Sequence, residues 1–258
     1  NQGAADHETL HQWIPMMIGT NETRYGWMDE GFNQYSNILS AADAKGKKYS
    51  IDGLGQSYGR ISGNEDEPPM MWNANYGGTL YGFHTYSKTP LMFSMLGAVV
   101  GDDEMNAAIK KYMETWKFKH PSPWDFAFFM NKELDRDLNW FWYYWLFTTE
   151  AVDGSIKEVS AKDGNATVTV HEAGQMPSPV VLKVEFAPGG PKPKAMKNAT
   201  VLDENSVVVK WPVDVWFSGD RDFKAVLDFG KRKITKITFD PYGRFPDSVP
   251  ADNVWTAK

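Results

Sequence analysis

The chain has 258 residues, enough for one large domain or two of ordinary size, and 42% of them are apolar, which argues against global disorder. A net charge of −6 without a long basic run disfavours nucleic acid as a partner. The absence of cysteine excludes disulfides, thiolate catalysis and cysteine-ligated zinc, so a metal would need histidine and carboxylate ligands.

The first 42 residues predict two helices separated by a turn. Apolar residues recur at helical spacing over residues 3–19, and again from about Asp29 to Ala42. The stretch 19–26 between them is polar and typical of a turn. Residues 43–78 are rich in Gly, Asn and Pro, and predict a long irregular excursion of the kind that is often functional.

Helical patterning returns in three stretches, 80–100, 103–117 and 123–147. None of them is long and apolar enough to predict a membrane span. Together with the first two helices they predict a mainly α-helical domain over residues 1–150.

The pattern changes near Val152 to short alternating stretches separated by Gly- and Pro-containing turns. Such stretches predict a β-sandwich of about 100 residues over 151–258, and hence an α+β protein of two domains. The five clearest predicted strands are Ala166 to His171, Val180 to Phe186, Val207 to Trp211, Ala225 to Phe229 and Ile234 to Phe239.

The segment from His7 to His11 reads H-E-T-L-H. On a helix, positions i and i+4 lie one turn apart on the same face, so both imidazoles can reach one metal ion. Glu8, beside His7, can take a proton from water activated at that metal. The competing interpretation is a chance match on an exposed amphipathic helix, which is rare in a chain with five histidines.

A third ligand strengthens the metal interpretation. Glu30 follows His11 after eighteen intervening residues, at the start of the second predicted helix. A catalytic zinc ion takes three protein ligands and keeps one position open, and His7, His11 and Glu30 supply that set. We therefore expect one zinc ion per chain.

The spacing H-E-x-x-H-x18-E, together with the text around Trp13 and Trp27 to Phe32, resembles the aminopeptidase N-like gluzincins, and a bacterial branch in particular. The segment from Tyr86 to Pro90 resembles the family's Y-x-K segment. The resemblance implies a thermolysin-like catalytic domain followed by a small Ig-like β domain. It also implies zinc-dependent hydrolysis of peptide bonds, most simply of the aminopeptidase type.

The same resemblance implies that Tyr86 stabilises the oxyanion of the tetrahedral intermediate, whereas spacing alone would favour a tyrosine that only packs a helix. Glu8 would be the general base. Asp29 either orients a ligand or simply favours the start of a helix. His84, two residues before Tyr86, is expected to be structural.

The chain also departs from the family. It contains neither the G-x-M-E-N segment that recognises the substrate's free amine nor the N-terminal β domain. We therefore expect it to be the C-terminal part of a longer polypeptide, whose N-terminal half would cover apolar residues of the first helix. The alternative is a catalytically inactive fragment, a scaffold or binding module. Expected partners are a peptide or protein substrate and that missing half, and a periplasmic or secreted location is favoured over the cytoplasm.

Overall fold

The computed structural model describes residues 2–47, 49–61, 64–162 and 165–257. The fold is α+β, with helices followed by two antiparallel sheets. The chain divides into two compact units. The first comprises Asn1–Leu54 and Ile61–Glu150, and the second comprises Gly55–Arg60 and Ala151–Lys258.

The first unit is built from helices, and its described residues contain no β-strand. Short 3₁₀ turns, Gly26–Met28 and Ala74–Leu80 among them, lie between the helices. Two π-helical turns, Phe83–Ser87 and Tyr143–Phe147, adjoin helices. The α-helices are α1 (Gln2–Leu10), α2 (Glu30–Asp43), α3 (Lys88–Val100), α4 (Asp102–Trp116), α5 (Pro123–Glu133) and α6 (Asn139–Trp142).

The first helix is shorter than the predicted 3–19, since α1 already ends at Leu10. Pro15 explains why the helix cannot continue to residue 19. Within a helix, proline has no N–H to donate, its ring would clash with the carbonyl four residues earlier, and it disfavours helical geometry at the preceding residue, here Ile14. The amide of His11 still donates to the carbonyl of His7 at 3.3 Å, but Gln12 and Trp13 donate only three residues back. His11 therefore lies where the helix changes into tight turns.

Two other predicted helices are also interrupted. The stretch 123–147 is broken at residues 134–138, where Asp135 has φ of +48° and cannot continue an α-helix. In the stretch 80–100, the π-helical turn Phe83–Ser87 precedes α3. Apolar periodicity predicted these helices but did not detect where they break.

Aromatic side chains fill the centre of the first unit. Phe126 on α5 is fully buried, and five aromatic rings have centroids within 6.2 Å of its own. These belong to Trp27, Phe32, Phe93, Tyr112 and Trp142. Trp27 and Phe32 flank the segment that carries Asp29 and Glu30, so packing within this cluster helps to fix the start of α2.

The second unit contains two antiparallel sheets, with strand orders β1-β2-β6 and β4-β5-β3-β7-β8. All five predicted strands are present, while β1, β4 and β8 were not predicted. The strands are β1 (Gly154–Lys162), β2 (Asn165–Glu172), β3 (Val180–Phe186), β4 (Ala199–Asp203), β5 (Ser206–Trp211), β6 (Asp222–Asp228), β7 (Ile234–Phe239) and β8 (Val254–Thr256).

Apolar residues of these strands form the core of the second unit. Ala166, Val168 and Val170 of β2 are buried, as are Leu182 and Val184 of β3. The ring of Phe186 on β3 contacts that of Phe229, which directly follows β6, with centroids 5.2 Å apart. Burial thus alternates along β6, as the period-two pattern predicts, whereas four consecutive residues of β5 are buried.

No helix among the described residues is long and apolar enough to span a membrane.

Replacing Phe126 with alanine tests the aromatic cluster. Phe126→Ala removes a fully buried ring, so we expect the free energy of unfolding to fall by about 3–5 kcal/mol. Phe128→Ala on the same helix removes a side chain that is 64% exposed, so its effect should stay within about 0.5 kcal/mol. Urea unfolding followed by fluorescence measures both, and equal losses would show that Phe126 is not central to the core.

Candidate metal centre

Helix α1, the turn that follows it and helix α2 bring three predicted ligand side chains together. Glu30, the first residue of α2, places Oε2 2.9 Å from Nε2 of His7 and 3.2 Å from Nε2 of His11. The two imidazole rings lie edge to face, with centroids 4.8 Å apart. One ligand atom from each of the three residues lies within 4.8 Å of the others.

Close packing at Gly31 brings the start of α2 into this position. A Cβ atom on Gly31 would lie 2.2 Å from Oγ1 of Thr89 on α3, so only glycine permits this approach. The hydroxyl of Thr89 donates to the carbonyl of Trp27 at 3.2 Å and so ties α3 to the turn before α2. Glu30 is thereby held between a buried turn and a tightly packed glycine.

The donor set fits a zinc ion. Tetrahedral zinc, about 2.0–2.1 Å from each ligand atom, separates its ligands by about 3.4 Å, and the carboxylate oxygen here lies 2.9 and 3.2 Å from the two imidazole nitrogens. Imidazole nitrogen and carboxylate oxygen are both common zinc ligands. Within the described part of the chain, no other group of three or more His, Asp or Glu side chains converges in this way.

Two asparagines of α2 hold His7 from its other side. Asn33 donates from Nδ2 to the backbone carbonyl of His7 at 2.8 Å. Nδ2 of Asn37 lies 3.3 Å from Nδ1 of His7, while Oδ1 of Asn37 is buried without a hydrogen-bond partner. Exchanging the two amide atoms of Asn37 pairs that oxygen with an N–H on Nδ1. This tautomer leaves Nε2 of His7 free to bind a metal.

Asn33 and Asn37 were not predicted as site residues. They follow Glu30 by three and seven residues, so they lie on the same face of α2. That spacing on the second predicted helix was the signal that could have identified them.

Asp29 contacts His11, which is one of the two roles considered for it. Its Oδ1 lies 3.2 Å from Nδ1 of His11, and the same nitrogen lies 2.8 Å from the carbonyl of Ile14. Burial and the neighbouring charge of Glu30 raise the pKa of Asp29 to about 7. His11 is thus oriented through Nδ1, leaving Nε2 directed at Glu30.

The pKa of His11 reflects opposing influences. Burial lowers it, but the hydrogen bond to the Ile14 carbonyl and the charges of Asp29, Glu30 and Glu8 outweigh burial and raise it. Glu8 itself is exposed on α1 beside His7. Its carboxylate is therefore accessible to solvent and close enough to influence the metal-binding face.

The π-helical turn Phe83–Ser87 brings Tyr86 to the same place. Its ring centroid is 5.8 Å from that of His7, and its hydroxyl hydrogen-bonds to Glu30. Burial and that hydrogen bond raise the pKa of Tyr86 well above its usual value, so the phenol keeps its proton and can act as a donor. By contrast, His84 is fully buried and its Nε2 lies 3.1 Å from the carbonyl of Pro69, an environment expected of a structural histidine.

A protein-family profile described as "Peptidase family M1 domain" matches residues 2–145. No curated protein sequence matches the chain. Among solved structures, an aminopeptidase A from Legionella pneumophila, solved with aspartic acid, superimposes with a TM-score of 0.65 at 11% identity, over 95% of this chain and 26% of the other. This similarity concerns the fold.

An M1 zinc metallopeptidase from Deinococcus radiodurans also matches, at 18% identity and with a TM-score of 0.47. The match covers 57% of this chain and 32% of the other. A variant of it, solved with a Tyr-Ser-Ala substrate, gives the same identity and TM-score. The matched regions therefore span only about a quarter to a third of the length of these proteins.

Substitutions at Asn37 test its contact with His7. Asn37→Leu removes the acceptor for Nδ1, and we expect the affinity for Zn²⁺ to fall by about 10- to 100-fold. Asn37→Asp keeps an acceptor there and should retain most of the affinity. Chelator competition measures both, with Gln34→Leu on the same helix as control. Equal affinities of wild type and Asn37→Leu would show that Asn37 does not orient the ligand.

Proposed function

The chain belongs to peptidase family M1, and on that basis we propose that it hydrolyses peptide bonds with a zinc ion held by His7, His11 and Glu30. The observation that carries this proposal is the convergence of two imidazole nitrogens on one carboxylate oxygen, at 2.9 and 3.2 Å. Two neutral ligands and one anion leave a bound zinc ion with net positive charge and room for a fourth ligand.

When bound, zinc would polarise the scissile carbonyl and make water more acidic. In our proposal Glu8 is the general base that accepts a proton from the attacking water. It then donates that proton to the departing amine, because a single carboxylate in reach of both can serve as base and then as acid. The exposure of Glu8, and its position on α1 beside His7, support this role.

We assign Tyr86 to the oxyanion that develops on the carbonyl oxygen. Its hydroxyl reaches Glu30, its ring lies near His7, and its raised pKa keeps the proton on the phenol. A donor fixed before the reaction stabilises developing charge without reorganisation. Asn37 contacts His7 and Asp29 contacts His11, so each proposed histidine ligand is oriented by a neighbouring side chain that does not itself bind the metal.

The substrate class that we propose is a peptide with a free amino terminus, since one similar structure is described as an aminopeptidase. We propose that the first unit is a thermolysin-like catalytic subdomain and the second an Ig-like β-sandwich. The division near residue 150 and the packed sheets support this arrangement. Further sequence of a longer protein would supply recognition of the free amine.

The proposal is tested by separating metal binding from chemistry. Glu8→Gln should keep zinc, since Glu8 is not among the proposed ligands, and should lower peptide hydrolysis by at least about a hundredfold. His11→Ala should lose most of the zinc. Elemental analysis gives the metal content, and hydrolysis of a peptide and its N-acetylated form, with and without chelator, gives activity and amine dependence.

Two outcomes would contradict the proposal. Unchanged zinc content in His11→Ala would show that His11 is not a zinc ligand. Full activity in Glu8→Gln would show that Glu8 is not the general base. A protein that binds zinc but hydrolyses no peptide would instead fit the inactive scaffold.

Tyr86→Phe removes one hydroxyl from the site. The proposed hydrogen bond from this hydroxyl to the carbonyl oxygen of the substrate strengthens as negative charge develops on that oxygen. Its loss should therefore lower kcat by about 10²- to 10³-fold while KM changes little. Tyr143→Phe, at a side chain that is 56% exposed, is the matched control and should keep full activity. Steady-state kinetics distinguish the two, and near-normal kcat in Tyr86→Phe would reduce Tyr86 to a packing residue.

A further inference from the structure

A buried ion pair lies next to the turn that carries Tyr86. Lys88, the first residue of α3, is 2% exposed, and its Nζ contacts Oε1 of Glu67, which is 7% exposed. Burial lowers the pKa of Lys88, and the carboxylate of Glu67 opposes that effect. Neither charge has a role in the proposed chemistry.

A second contact joins the same two segments. His84, fully buried at the other end of the turn, lies with Nε2 3.1 Å from the carbonyl of Pro69. Burial lowers the pKa of His84, so the ring is neutral and donates its Nε2–H to that carbonyl. Glu67 and Pro69 are two residues apart, so one short segment contacts both His84 and Lys88.

We propose that Glu67, Pro69, His84 and Lys88 form a clamp that positions Tyr86, and that Lys88 and His84 are positioning residues for catalysis. His84 and Lys88 lie two residues before and two after Tyr86. Their side chains hold the turn from its buried side, while the ring of Tyr86 reaches His7 and its hydroxyl reaches Glu30. This inference rests on the proposed peptidase function.

The chemistry of the clamp favours orientation over stability. A buried ion pair must recover the free energy lost when both charges leave water, so well-packed apolar residues of similar volume often stabilise a protein as much or more. What an ion pair adds is a directional bond between two particular atoms. π-helical turns are rare and are frequently found at functional sites, and bonds at both ends of this one hold its geometry.

The ion pair is tested by replacing both of its members. A single substitution would leave a buried charge unpaired and could unfold the protein, whereas Glu67→Met with Lys88→Met keeps volume and removes both charges. We expect a melting temperature equal to or above that of the wild type, and unchanged zinc content. Hydrogen exchange at residues 83–88 should become faster, and kcat should fall by about 10- to 100-fold with little change in KM.

The matched control is the exposed ion pair of Lys111 and Glu133, 2.7 Å apart. Lys111→Met with Glu133→Met should change neither hydrogen exchange at 83–88 nor kcat. A structural role alone would lower the melting temperature of the Glu67/Lys88 variant without lowering kcat in the folded protein, and that result would overturn the proposal.

Combination with Tyr86→Phe shows whether the clamp acts through the hydroxyl. In the Tyr86→Phe background, the two methionine substitutions should lower kcat no further, because the group that they misplace is already absent. Additive losses would overturn the inference. If the wild type hydrolyses no peptide, the proposed function fails, and the clamp is then judged by hydrogen exchange alone, where unchanged rates at 83–88 would overturn it.

Discussion

The packing of α2 against α1 and α3 controls the candidate metal centre. Glu30 can reach both imidazoles only because Gly31 has no Cβ to collide with Thr89 and because Asn33 binds the carbonyl of His7. The aromatic cluster around Phe126 stabilises this arrangement through its contacts with Trp27 and Phe32. The six aromatic residues of this cluster thus help to position a carboxylate, a role that composition alone could not distinguish from lining a cleft.

Much of the site could be predicted from sequence, because its main signals are local. The spacing of His7 and His11 predicts that both imidazoles face one metal ion, and the structure brings Glu30 close to both of them. The spacing of Asn37 from Glu30 places both on one face of α2, but it does not assign the role of Asn37. That role depends on which nitrogen of His7 carries the proton, and hence on how two helices pack. Tyr86 needed the resemblance, because nothing in its local pattern separates it from a tyrosine that packs a helix.

The fold was predictable to a similar depth. Alternation identified the strands with buried apolar residues, whereas β4, whose residues are mostly exposed at a sheet edge, lacks that pattern. Helical periodicity continued through Pro15 and Asp135, because apolar spacing carries no information about backbone geometry. The ends of elements depend on single residues, and these were the details that the sequence pattern missed.

The π-helical turn before α3 has a consequence for how this region can change. Each residue added to or removed from a helix rotates everything beyond it by about 100°. The wide turn Phe83–Ser87 absorbs such a rotation, so that α3 can bury Leu91, Phe93 and Leu96 while the ring of Tyr86 remains beside His7. After a deletion of one residue here, the chain could not both bury the apolar face of α3 and keep the ring of Tyr86 beside His7. The length of this turn is therefore under two independent constraints.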